Sequence, residues 1–175
     1  YRPRFAGDDL PCGLAGCVVA VADKLDTIAG MFAIGEPPTG SKDPFALRRS
    51  AIGVINILAD RLHCGYAALV DAALDAYLEQ GLSFNKPEVA QDVCAFIKGR
   101  MEQIARDAKI NSDTVAAVSH GTIEAPVDFF ALAHALDDAR ANDAETFENL
   151  ATAYARASHL ADSSLGLDVD DASLL

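Results

Sequence analysis

The chain has 175 residues, about half of them apolar, with 14 basic and 26 acidic side chains and a net charge of −12. That length suits one domain or two small ones and is enough to bury a core. The acidity argues against indiscriminate binding to polyanions, and every apolar stretch is broken by charge well before the ~20 residues a membrane-crossing helix needs.

The charge is uneven. Residues 1–50 are neutral overall, and the whole net charge of −12 falls on residues 51–175. A polyanionic partner would therefore meet the first third of the chain. The chain opens on Tyr1 rather than Met, which reads as a piece of a longer polypeptide. No pattern of basic start, apolar centre and small-residue cleavage site is visible. Cys12, Cys17, Cys64 and Cys94 lack metal-type spacing and the density of a secreted disulfide scaffold, so idle thiols in a reducing, cytoplasmic setting are expected.

The periodicity is helical almost throughout. Leu14, Val18, Val21, Leu25, Ile28 and Phe32 recur at steps of three and four, one face of a first helix. Val18 to Val21 alone could be a short strand, but the sustained period around it decides for helix. Asp43-Pro44 predicts the start of a second helix over 44–61, with Asp43 capping and Pro44 in the first helical position. Leu47, Ala51, Val54, Leu58 and Leu62 line it. A third helix is predicted over 66–80, closed by Gly81. The turn-rich stretch 81–87 predicts a domain boundary. Further helices follow over 88–109, 113–119 (capped by Asn111 or Ser112), 127–139 and 144–161. The Ser/Asp-rich residues 163–175 read as a flexible tail. The expectation is an all-α protein with units at 1–84 and 86–162.

The chemistry concentrates in Gly35-Glu-Pro-Pro-Thr-Gly-Ser-Lys-Asp-Pro-Phe-Ala-Leu-Arg-Arg49, where a stiff Gly/Pro loop meets a helix start and a charge cluster. Arg2, Arg4, Lys42, Arg48 and Arg49 form a basic set, and the guanidinium fork suits phosphate. Free N–H groups at the helix start would add an anion-binding feature, opposed by Asp43 itself. Arg49, Gly53, Asn56 and Asp60 share a face opposite the apolar one. Gly53 costs that helix up to about 1 kcal/mol against Ala, so a close approach of RNA or a neighbouring helix is expected there. Asp23 and Asp26, three residues apart, could hold a metal or act as acid and base, but a salt-bridged surface with Lys24 and the nearby arginines is the plainer reading. The four histidines and the serines sit in no ligand or nucleophile pattern, and no P-loop or dinucleotide fingerprint is present.

The Gly35–Arg49 stretch, read with Ala20-Val-Ala-Asp-Lys-Leu-Asp-Thr27 and Arg2-Pro-Arg-Phe-Ala-Gly-Asp8, resembles the β subunit of bacterial tetrameric glycyl-tRNA synthetase. The resemblance is strong over residues 1 to about 60 and weaker over 87–160. It implies an HD-like helical domain remnant over 1–84 and part of an anticodon-binding helical bundle over 86–162. Val19-Ala-Val-Ala-Asp-Lys-Leu25 is similar to the closing helix of HD-type metal phosphohydrolases, with Asp23 at the last ligand position. The other ligands of such a site would come from helices this chain lacks. The resemblance thus implies no catalytic residue and no metal here, with Asp23 a vestige held by hydrogen bonds or an arginine. The segment 151–160 resembles the anticodon-domain helix in which a Lys-Arg pair precedes an Asn-Ile pair. Ala155 replaces that lysine, Arg156 remains and His159 stands at the asparagine. Lys98 and Arg100 on the preceding helix are alternative RNA contacts. The implied partners are an α subunit, which holds the ATP, magnesium and glycine of the complete enzyme, and glycine tRNA. An HD-type phosphohydrolase and a purely structural subunit-docking module are the rival readings.

Overall fold

A computed structural model describes residues 8–160. Seven α-helices and no strand occur among the described residues: α1 Leu14–Ala33, α2 Leu47–Ile57, α3 Ala67–Glu79, α4 Lys86–Asp107, α5 Ser112–Ser119, α6 Pro126–Asn142 and α7 Ala144–Leu160. The fold is all-α, as its periodicity predicts. A single π-type turn, Leu58–Leu62, continues α2. It closes on His63, whose N–H donates to the Leu58 carbonyl at 2.8 Å.

The chain divides into two compact units, passing from one to the other between Asp137 and Asp138. In the first, α1 packs on α2, α3 and α4, and α4 also packs on α2, α3 and α5. Cys17, Ala20, Val21, Lys24, Leu25, Ile28 and Ala29 form the inward stripe of α1. The core draws on α2 most densely, where Leu47, Ala51, Gly53, Val54, Ile55 and Ile57 are all buried. Burying one such large aliphatic side chain contributes about 1.5–3 kcal/mol. Val70 and Leu74 of α3 and Val93, Ile97, Met101 and Ala105 of α4 complete the same core. The 81–87 stretch therefore reverses the chain inside one core. Phe129 and Ala133 of α6 join it, and Asp137 Oδ1 accepts from the Asn111 N–H (3.1 Å) and Thr114 Oγ1 (3.0 Å), tying α6 to the start of α5.

Helix ends follow local chemistry. At Gly35 (φ 78°) and Gly81 (φ 91°) a left-handed residue closes α1 and α3. In each case paired backbone bonds run back into the last turn: Glu36 to Met31 and Gly35 to Phe32, then Leu82 to Tyr77 and Gly81 to Leu78. Asn111 Oδ1 accepts from the Asp113 N–H and caps α5. Lys86 Nζ bridges Asp71 (2.8 Å) and Asp75 (2.6 Å), linking the start of α4 to α3.

In the second unit, Asp143 Oδ1 accepts from the Thr146 N–H and opens α7. No described residue of α7 is buried, and Leu150 and Tyr154 are largely exposed. The predicted tail over 163–175 lies outside the described residues.

Candidate nucleic-acid interface

The loop between α1 and α2 is braced by its own backbone. Thr39 and Lys42 exchange both backbone bonds (N–H to O, 3.0 and 2.7 Å) around Gly40, whose φ is 49°. Next comes a tight turn in which the Ala46 N–H donates to the Asp43 carbonyl at 3.1 Å. Asp at the first and Pro at the second position is what such a turn favours. Pro44 therefore makes the turn rather than the first helical residue, and α2 begins three residues later than expected, at Leu47. Ala46, at φ 54° and ψ 37°, carries the chain from turn to helix in the left-handed region, which is uncommon for a residue with a Cβ.

Asp43 still caps the helix, across that turn. Its Oδ1 accepts from the Leu47 N–H at 2.7 Å and its Oδ2 from the Arg48 N–H at 3.0 Å. Two of the amides that the helix start could offer an anion are thus taken by a carboxylate of the same chain, which opposes an anion there. Arg48 Nη2 donates to the Gly40 carbonyl at 2.7 Å, closing the loop from its far side. Arg48 is half-buried and holds the loop's shape.

Lys42 and Arg49 are exposed on this braced segment, and neither side chain has a hydrogen-bond or ion-pair partner among the described residues. Phe45 lies between them in sequence and is 51% exposed. Phe32, Phe84, Phe96 and Phe130 pack against the core and Phe129 is buried in it. Sequence reasoning missed Phe45. The available signal was an aromatic at the third position of an Asp-Pro turn, where no helix periodicity draws it inward.

The remaining basic candidates lie elsewhere. Lys98 and Arg100 are half-buried on α4, and no hydrogen bond joins them to the loop; Arg100 Nε is buried without an acceptor. Arg156 is exposed on α7, in the second unit. Arg2 and Arg4 lie outside the described residues. On the face that carries Arg49, Gly53, Asn56 and Asp60, Gly53 is buried and Asn56 half-buried, so the close approach expected at Gly53 is made by the protein's own packing.

Asp23 and Asp26 are exposed, and their expected pairing with Lys24 does not form. Lys24 is only 8% exposed and packs its stem within the inward stripe of α1. Thr27 Oγ1 donates to the Asp23 backbone carbonyl at 3.1 Å, and the Tyr77 hydroxyl donates to the Asp26 carbonyl at 3.1 Å. The Asp23 carboxylate itself holds no arginine among the described residues, contrary to the anchoring role expected of it. Among the described residues, no group of three or more His, Cys, Asp or Glu converges as a metal centre would require. The four cysteines are all free thiols. No described helix is long and apolar enough to cross a membrane.

A family model described as the glycyl-tRNA synthetase beta subunit matches residues 1–120. Among curated proteins, the chain is 42% identical over 175 residues to the glycine–tRNA ligase beta subunit of Clostridioides difficile, covering 99% of this chain and 25% of that one. It is 44% identical over 161 residues to that of Tolumonas auensis and 40% identical over 161 residues to that of Escherichia coli, each covering 91% of this chain and 23% of the relative. The chain therefore spans about a quarter of the length of these relatives.

Proposed function

Because the chain belongs to the glycyl-tRNA synthetase beta subunit family, we propose that it helps to bind and orient glycine tRNA for ATP-dependent glycylation, carried out together with an alpha subunit. In this reading the chain contributes by positioning, which lowers a barrier by holding reactants in register, and makes or breaks no bond itself. ATP, magnesium and glycine belong to the alpha subunit's site.

One observation supports the reading above the others. The 35–49 loop is fixed by its own hydrogen bonds and presents Lys42 and Arg49 to solvent with their charges unpaired among the described residues. A preorganised loop loses little conformational entropy on binding, and an unpaired guanidinium can give both forks to a phosphate. Arg48 acts through the loop: its bond to Gly40 holds Lys42 and Arg49 where they are. The local balance matters in a chain of net charge −12, because residues 35–49 carry three basic and two acidic side chains and one of those carboxylates, Asp43, is already occupied. Lys98, Arg100 and Arg156 are secondary RNA-contact proposals. An HD-like fold for the first part, an anticodon-binding role for the later helices and a cytoplasmic location are further parts of the proposal.

The test is a titration of the full chain with a glycine tRNA transcript across a salt series. Arg49→Ala should weaken binding and lower the log–log salt slope by about 0.7–0.9, the value of one lost phosphate contact. Unchanged affinity and slope for both Arg49→Ala and Lys42→Ala would assign the segment to subunit docking instead.

A further inference from the structure

We infer that Phe45 is a stacking platform for an unpaired nucleobase of the same RNA whose phosphates Lys42 and Arg49 meet, an inference that rests on the RNA-binding reading above. Phe45 is half-exposed, while every other phenylalanine described in the first unit packs against or into the core. Its position is not a frayed end. The Asp43–Ala46 turn, the left-handed Ala46 and the two bonds from Asp43 to the start of α2 fix the backbone on both sides of it.

Half of the Phe45 ring is left in water on a braced backbone, so it is available as a contact surface. Its neighbours decide what it offers. Lys42 precedes it by three residues and Arg49 follows by four, both exposed and unpaired. An exposed ring flanked in sequence by two exposed cations on one braced segment matches a nucleotide, which has a flat base and an anionic backbone. Stacking of this kind needs a base that is not held in a duplex, as in a loop or at a strand end. An apolar pocket on a protein partner would use the ring but has no need of exposed cations on the same segment.

The test uses the full chain, which contains no tryptophan, so Phe45→Trp introduces a sole reporter. Glycine tRNA transcript is titrated into wild type, Phe45→Trp, Phe45→Leu, Phe45→Ala and Arg49→Ala at several salt concentrations. A stacked base predicts that Phe45→Ala and Phe45→Leu each weaken binding by about 5- to 150-fold, since stacking contributes ~1–3 kcal/mol per base. Their salt slopes should match wild type, because no phosphate contact is lost. Phe45→Trp should keep the affinity, and its emission should be quenched as RNA saturates. Because half of the ring is already in water, thermal melts should show each Phe45 variant folded at the temperature of the titration.

If Phe45→Leu binds like wild type, or the tryptophan emission is blind to saturating RNA while Arg49→Ala still lowers the slope, stacking is overturned and the phosphate reading survives. If emission responds to a partner protein subunit and not to RNA, Phe45 is a protein contact and the inference fails. If wild type does not bind the transcript at all, both readings fall together.

Discussion

Gly30 and Tyr77 give a sharp test of how α1 and α3 fit. In an exposed helix interior, Gly→Ala stabilises by about 1 kcal/mol, since Gly has more backbone freedom to lose. At Gly30 the added Cβ would meet the Tyr77 hydroxyl and lie 2.7 Å from its Cζ and 3.3 Å from its Cε2. Forcing a methyl into a packed contact costs about 1–3 kcal/mol. Displacing the ring also breaks the Tyr77 bond to the Asp26 carbonyl, a further 0.5–1.5 kcal/mol or so. The penalties exceed the gain, so Gly30→Ala should destabilise the chain by roughly 1–3 kcal/mol. In a Tyr77→Ala background both penalties vanish, and the same substitution should stabilise by up to about 1 kcal/mol. The double-mutant cycle should therefore show a coupling equal to the two penalties together, about 1.5–4.5 kcal/mol. Tyr77→Phe should relieve only part of it, since the hydroxyl contact and its bond to Asp26 go but Cζ stays in place. Urea unfolding followed by far-ultraviolet circular dichroism measures all four corners. An equal shift from Gly30→Ala in both backgrounds would refute the packing argument.

Asp43→Ala should lower stability by about 0.5–2 kcal/mol through the loss of two N–H acceptors, with Asp43→Asn milder because one oxygen remains; thermal melts check this. Arg48→Ala should weaken tRNA binding through the loosened loop, and Arg48→Lys should not restore it, since a point charge does not reproduce the fork's reach to Gly40; affinity titration reads the difference. Tyr66 is pushed from 10.0 up to about 12, chiefly by burial and then by the charges of Cys94 and Glu124. A raised folded value means the unfolded state releases the proton first, so this stabilisation is complete below pH 10 and is lost as pH rises from 10 to 12, by about 3 kcal/mol in all. Lys86 is raised mainly by its hydrogen bonds to Asp71 and Asp75, so it keeps its charge, and its link between α3 and α4, to higher pH than an isolated lysine and loses them once it deprotonates. Comparing Tyr66→Phe with wild type in urea titrations at pH 9 and pH 12 isolates the tyrosine; an unchanged difference between them would overturn this assignment.

Much of the candidate site was legible as residue types and not as geometry. Arg48 and Arg49 are adjacent in sequence and chemically alike, yet one is tied to the Gly40 carbonyl and the other is free. Nothing in their spacing separates them, because the choice depends on how the 39–42 loop folds back. Asp43-Pro44 is equally good as a helix start and as a turn start. The outcome is the turn, with the cap acting across it, and Phe45 is exposed as a result.

By itself, the sequence determined the all-α character, the number and order of the helices and most of their ends. Those depend on short-range effects: the 3.6-residue period of apolar side chains, the left-handed freedom of Gly35 and Gly81, and the capping of α5 by Asn111. Tertiary structure alone decided that α1 to α4 share one core across the 81–87 turn, and that Lys24 rather than Asp23 faces inward. A turn motif specifies only a local reversal of the chain. Which helix faces are buried depends on every neighbour that packs on them, and that information is spread over residues far apart in sequence.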